Sequence, residues 1–173
     1  MELSDAIKGR RSIRAFKSQD VPEETVEKLI DAACCAPSAG NTQPWAFVIV
    51  KKVETKRKLA TAAYNQAFVE EAPVVIVVCA DVNRCSIRYG RRGASLYCLQ
   101  DTAAATQNIL LTAFSLGLAT CWVGAFDENE AKKVVHAPEG IRPVAIIPVG
   151  YANKKPLQRS RRALKQIVYQ EEF

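Results

Sequence analysis

The stretch from Gly93 to Leu118, GASLYCLQDTAAATQNILLTAFSLGL, constrains the rest of the chain more than any other. No Lys, Arg, Asp or Glu occurs between Asp101 and Asp127, and Ala, Leu, Thr and Phe fall on every face of the projected helix. A helix apolar all round is buried on all sides. Gln107 and Asn108 sit side by side at its middle, with Thr102, Thr106 and Thr112 around them, which argues against a membrane span built from ~20 predominantly apolar residues. The segment therefore has to be covered by other layers of protein.

The N-terminal MELSDAIKGRRSIR has no apolar run behind its basic residues, so the expectation is a cytoplasmic protein without a secretory signal. At 173 residues the chain suits a single domain, 1–173, with a sizeable core. Six cysteines without an export signal read as reduced thiols. Cys34 and Cys35 are adjacent, there is no C-x-x-C, and His136 is the only histidine, so no metal site is expected. Cys34, Cys35 and Cys98 fall in expected helices and read as small buried side chains, while Cys85, in a polar stretch, is the candidate for exposure. A net charge of +6 is concentrated at Lys8 to Arg14, Arg84 to Arg92 and Lys154 to Lys165. Such clusters suit a phosphate-bearing ligand, a nucleic acid or a solvated face.

The patterning predicts a short helix over Leu3 to Lys8 and a second behind Pro22, with Val26, Leu29, Ile30 and Ala33 on one face. The PSAGNTQP turn segment, Pro37 to Pro44, leads into a strand over Trp45 to Val50. Helices over Glu54 to Tyr64 and Gln66 to Glu71 precede Val74 to Cys79, continuously apolar and so an interior strand. Asp81 to Arg92 reads as a polar connection. After the long helix come a strand over Ala119 to Val123, a helix over Asn129 to Val135 and a strand over Val144 to Val149. The basic segment 151–173 ends in an apolar pattern, Leu164, Ile167, Val168 and Tyr169, which suits docking on another surface. Strands and helices mixed without regular alternation predict an α+β layered fold, one sheet with the long helix packed on it.

Neither G-x-G-x-x-G nor G-x-x-x-x-G-K-[ST] is present, and a lone histidine followed by Ala-Pro supports no hydrolytic triad. Three clusters remain. Arg10, Arg11 and Arg14 with Ser12 offer charged, bidentate donors to an anion, or form a solvated basic turn. Ser38, Asn41 and Gln43, bracketed by Pro37 and Pro44, suit a site reading a polar ring edge, or an ordinary turn. Trp122-Val123-Gly124 and Arg159-x-Arg161 carry little individually.

As an ordered set these segments are specific. RRSIR near the start, PSAGNTQPW after the second helix, QDTAAATQNILL in a long helix, GLATCWVG behind it, then IPVGY and a basic C-terminal segment resemble the nitroreductase family of FMN enzymes from Leu3 to about Tyr169. The resemblance implies a mainly antiparallel sheet flanked by helices and a homodimer with the long helix at the interface. It also implies that 151–173 docks on the partner subunit, with two FMN sites between subunits. Carried over by position, Arg10, Arg11, Ser12 and Arg14 would meet the FMN phosphate, ribityl chain and pyrimidine edge. Pro37, Ser38 and Ala39 would line the ring from the partner subunit, with Asn41 and Gln43 near its polar edge. Trp122, Val123 and Gly124 would cover one face, and Arg159 and Arg161 would close on the phosphate. The chain is short for the family, implying an open pocket, and Arg84, Arg88, Arg91 and Arg92 either line its entrance or form a solvated loop.

The implied activity is NADH- or NADPH-driven reduction of a nitroaromatic, quinone or related conjugated small molecule through FMN, with no protein nucleophile. Two other classes remain open: a flavin-binding or flavin-fragmenting protein that is not a reductase, and, more remotely, a nucleic-acid-binding protein using Gly90-Arg91-Arg92-Gly93. Neither a nucleic acid nor a membrane is the expected partner.

Overall fold

The computed structural model describes residues 1–154, 156–157 and 160–173. Four strands form one antiparallel sheet: β1 (Trp45–Val50), β2 (Val74–Asp81), β3 (Ala119–Thr120) and β4 (Ile141–Gly150), in the order β1-β2-β4-β3. Because side chains alternate across a strand, β2 feeds two cores. Val75, Val77 and Cys79 face one cluster with Leu59, Val69, Val123 and Ile146. Val74, Ile76 and Val78 face another with Leu29, Ile109, Leu110, Ala113 and Ile147. Helices α3 (Val53–Ala62), α4 (Phe68–Glu71) and α7 (Glu128–Val134) cover the first face. Helices α2 (Glu23–Cys34) and α6 (Cys98–Ser115) cover the second, and α1 (Leu3–Gly9) lies against α6. The α+β layered architecture and the antiparallel sheet are those expected. Lys56 is the one buried lysine among the described residues; its Nζ donates to Ala72 O at 2.6 Å, satisfying the carbonyl that ends α4.

Four expectations are corrected. Asp81 to Arg92 is not a polar connection but a helix, α5 (Val82–Arg92), started by the Asp81 carboxylate accepting Arg84 N at 2.9 Å. Only Val82, Cys85 and Tyr89 form its apolar stripe, so the charge around them masked the 3.6-residue period. The long helix also has a different start and end. Gly93–Tyr97 is a π-helical turn, and at the other end Gly117 N and Leu118 N return to Phe114 O and Ala113 O, closing the helix in a Schellman arrangement. The rest of the chain does not cover α6 all round, because Gln107 is exposed and Ala103, Leu111 and Phe114 are half-buried. The strand expected over Ala119 to Val123 ends at Thr120, with only a bridge from Val123 to Ile146 beyond it. Finally, Cys34 and Cys35 are exposed and Cys85 is buried, since α2 turns its 34–35 end to the surface while Cys85 points into the α5 stripe.

Among the described residues no helix is long and apolar enough to cross a membrane.

Candidate functional site

Residues 10–14 leave α1 and run beside β3. Ser12 bridges Thr120 in parallel, and Ile13 N donates to Thr120 O at 2.9 Å. A few residues on, Phe16 bridges Ala152 antiparallel and Lys17 N donates to Tyr151 O at 2.8 Å, which brings the first cluster to the C-terminal segment. Arg10, Arg11, Ser12, Arg14, Pro156, Leu157 and Arg161 line a cleft of about 640 Å³. Burial, then the charges of Arg161 and Arg11, hold the Arg10 guanidinium below its ordinary range, with Cys121 acting in the opposite sense. Cations converging on one cleft make a site complementary to an anion. Arg11 is held by its own chain, Nη1 donating to Lys8 O at 2.5 Å and Arg10 O at 2.8 Å. Arg14 stands over the Phe68 ring at 5.9 Å. Arg159 lies outside the described residues.

Directly downstream of Thr120, Cys121 lies beneath this cluster. Burial pushes its thiol up, and Arg14, a hydrogen bond with Ser12, and Arg10 pull it back. Trp122 and Gly124 are exposed and Val123 is buried, exchanging backbone hydrogen bonds with Ile146. Trp122 and Gly124 line a cavity of about 330 Å³ with Leu99, Thr102, Thr106 and Arg142. Gln66 Nε2 donates to Ala63 O at 2.9 Å and Ala125 O at 3.1 Å, tying the turn at Tyr64 and Asn65 to this wall. Both turn residues have left-handed backbone, φ 57° and 61°, a conformation uncommon outside glycine. The turn lies where residue patterning predicts helix ends at Tyr64 and Gln66, and Asn65 between them is its one local signal.

The Pro37–Pro44 segment lies elsewhere. Its backbone polar groups are used internally or by neighbouring helices. Asn41 N and Thr42 N return to Ser38 O and Ala39 O, and Gln43 N donates to Ser38 Oγ at 3.0 Å. Ala39 N donates to both Asp101 carboxylate oxygens, at 3.1 and 3.2 Å. Gln43 Nε2 donates to Asn41 Oδ1 at 3.2 Å. Asn41 Nδ2 and Gln43 Oε1 are left as a donor and an acceptor side by side on the exposed face, the pair that a ring edge with alternating acceptors and donors requires. Pro37 is exposed beside them.

Burial raises the Asp101 pKa and the Ala39 N–H lowers it in part. An acid with a raised folded pKa makes the native state bind protons more readily, so its ionised form subtracts stability as pH climbs through that value. Asp101→Asn keeps one acceptor for Ala39 N and drops the buried charge. Its stability relative to wild type should rise as pH is raised from acid, read from urea midpoints across pH. Asp101→Ala strands Ala39 N and should cost about 1–3 kcal/mol.

The chain does not bring these two clusters together. Pro44 O accepts Asp81 N, and Trp45 pairs Ala80, which pairs Arg142. Thr120, beside Ser12, pairs Val149. From Arg142 to Val149 along β4 is roughly 23 Å at ~3.3 Å per residue, and β1 and β3 are opposite edges of the sheet. The helix α6 gives a similar span. Ala39 contacts it at Asp101 and Gly9 packs against Phe114, about 20 Å apart at ~1.5 Å per residue.

The Gly90–Gly93 segment is the joint between α5 and the π-turn, and Gly93 is buried. Among the described residues no group of three or more His, Cys, Asp or Glu could hold a metal ion.

The chain is similar in sequence and fold to known proteins. A Methanothermobacter thermautotrophicus protein named NADH dehydrogenase/NAD(P)H nitroreductase is 39% identical over 160 residues, covering 90% of this chain and 80% of that one. The Bacillus subtilis FMN reductase (NADPH) is 31% identical, covering 96% and 72%. The crystal structure of the Vibrio harveyi NADPH:FMN oxidoreductase complexed with NAD+ superposes with a TM-score of 0.91 at 25% identity, covering 99% and 77%. The model of the nitroreductase family matches residues 7–71 and 60–151, which takes in the end of α1 through β4, Arg10 to Arg14 and the Pro37–Pro44 segment but stops short of Arg161, and on that match the chain belongs to the nitroreductase family.

Proposed function

We propose that this protein is an FMN-dependent NAD(P)H oxidoreductase whose two flavin sites are each assembled from two copies of the chain. The observation that carries this reading is the pairing of a cationic cleft with a distant polar loop, roughly 20 Å or more away on one protomer. A single flavin cannot reach both, whereas a second copy can lend its loop to the first copy's cleft. The half-open face of α6 and the exposed side chains Leu164, Ile167, Val168 and Tyr169 suit burial by that second copy, with 151–173 docking on it.

The cleft fits the phosphate of FMN. Arg10, Arg14 and Arg161 would bind it, with Arg159 as a fourth cation, while Ser12 and Arg11 would orient the ribityl chain. From the partner, Pro37, Ser38 and Ala39 would line the ring and the amides of Asn41 and Gln43 would hold its polar edge. Trp122, Val123 and Gly124 would shield the face away from substrate. Bound FMN would supply hydride acceptance and donation. The protein's own work is to bind, orient and keep the exposed ring face open, first to NADH or NADPH and then to a conjugated acceptor, in ping-pong order. The acceptor is a nitroaromatic, a quinone or another conjugated ring, and the relatives named FMN reductases add free flavin to that class.

The visible spectrum of the purified protein tests this. We expect flavin absorbance that bleaches under NADH or NADPH without oxygen and returns on adding a quinone. A protein that stays colourless after incubation with FMN overturns the proposal, and one that holds FMN but does not turn over NAD(P)H belongs to the non-reductase reading.

A further inference from the structure

Helix α5 is absorbed neither by the cationic cleft nor by the polar loop, although it carries four of the chain's arginines. Two of these are spent on the Ser38–Gln43 loop. Arg88 Nη1 donates to Gly40 O at 2.8 Å, and Arg84 Nε donates to Thr42 O. Between them Thr42 Oγ1 meets Cys85 Sγ at 3.9 Å, and the Gly40 backbone, at φ 52°, lies so close to Tyr89 Oη that a Cβ there would collide with it. From the opposite side Asp101 takes Ala39 N. The Gly40 and Thr42 carbonyls of the loop are thus tied to guanidiniums and its Ala39 amide to a carboxylate. These are charge-assisted bonds, stronger than neutral ones. They hold Asn41 and Gln43 at left-handed φ of 55° and 48°, which neither residue would keep unaided at little cost.

The clamp is itself rigid. Tyr89 packs edge-to-face on Tyr97 with centroids 5.3 Å apart, and Arg92 both donates to Tyr97 Oη at 3.0 Å and stacks on its ring. The outward arginines of α5 are therefore not a free cationic surface at positions 84 and 88. Their donors are turned inward, onto main-chain oxygen.

We propose that Arg84 and Arg88 are positioning residues for the flavin, acting through the backbone of the Ser38–Gln43 loop to fix where the amides of Asn41 and Gln43 meet the ring edge. This rests on the flavin reading above. A loop held from two helices presents its amides with little entropy left to lose on binding; a loose one samples the turn and binds weakly.

The test uses the full-length protein reconstituted with FMN, comparing wild type with Arg84→Met, Arg88→Met, the double variant and Arg84→Lys. Both arginines are exposed, so these changes leave the core intact. Loop amides 39–43 in the double variant should exchange with deuterium about tenfold faster or more, with β2 amides unchanged, and the FMN Kd should rise by a comparable factor. The KM for a quinone acceptor should rise more than kcat falls, and Arg84→Lys, which keeps one donor, should recover part of the protection. Loop exchange within about twofold of wild type overturns the clamp. Faster exchange with unchanged FMN Kd and acceptor KM overturns the positioning role. A wild type that binds no FMN removes the flavin reading instead, and the exchange data then decide the clamp alone.

Discussion

Replacing both Arg10 and Arg161 with alanine should strip the protein of flavin. The two side chains line one cleft, where burial, then the charges of Arg161 and Arg11, lower Arg10's proton affinity. A hydrogen bond to a charged group contributes roughly 1.5–3 kcal/mol, so each single variant should weaken FMN retention by about 10- to 150-fold at 1.4 kcal/mol per decade. The double variant should fall short of the product of the two, because neighbouring cations repel and removing one relieves the other. Equilibrium dialysis or quenching of FMN fluorescence reads the effect. Salt provides a second check: cations meeting a phosphate are screened with a Debye length of ~8 Å at physiological ionic strength, so wild-type affinity should fall with added salt and that slope should flatten in the double variant. Equal FMN affinity in all four proteins, wild type included, would detach the phosphate from this cleft and leave the basic turn as a solvated surface.

The second large effect should come from Gly93→Ala. A Cβ at Gly93 would lie 2.5 Å from the Cys85 carbonyl oxygen and 2.9 Å from both its carbon and Tyr89 Cβ. A side chain end can swing away, but a main-chain carbonyl in the middle of a helix cannot move alone. The overpacking should cost about 1–3 kcal/mol, less the ~1 kcal/mol that alanine gains over glycine as a helix former. The net is a loss of up to about 2 kcal/mol, visible as a lower urea midpoint at unchanged slope. Because α5 would be pushed off the π-turn, the loop it holds should loosen as well. An unchanged midpoint would mean that α5 is free to shift on its hinge at Gly90, and the rigidity assigned to it would be wrong.

Much of this was legible in residue order. The apolar helix, the interior strand from Val74 and the Pro-bracketed loop announce themselves by local pattern; the strand and the loop lie where that pattern put them, while the helix begins at Cys98 behind a π-turn rather than at Gly93. The elements that were misread share a cause. Helix α5 buries only a thin stripe among arginines, so its helical period is carried by three side chains and overlaid by charge. Strand β3 is two residues long, below what alternation can register. The exposure of Cys34 and the burial of Cys85 depend on which way a helix end or face is turned, and that is set by the neighbours it meets.

The chain's own sequence determined the layers, the antiparallel strands' alternation of cores and the family to which it belongs, since these follow from side-chain period and the order of motifs. Only the tertiary structure decided that Arg161 stands beside Arg10, that Asp101 and two arginines of α5 hold the loop, and that the loop and the cleft are at opposite corners of the sheet. Those are facts about pairing across long stretches of chain, fixed by strand register and helix packing, and no local pattern of residues encodes them.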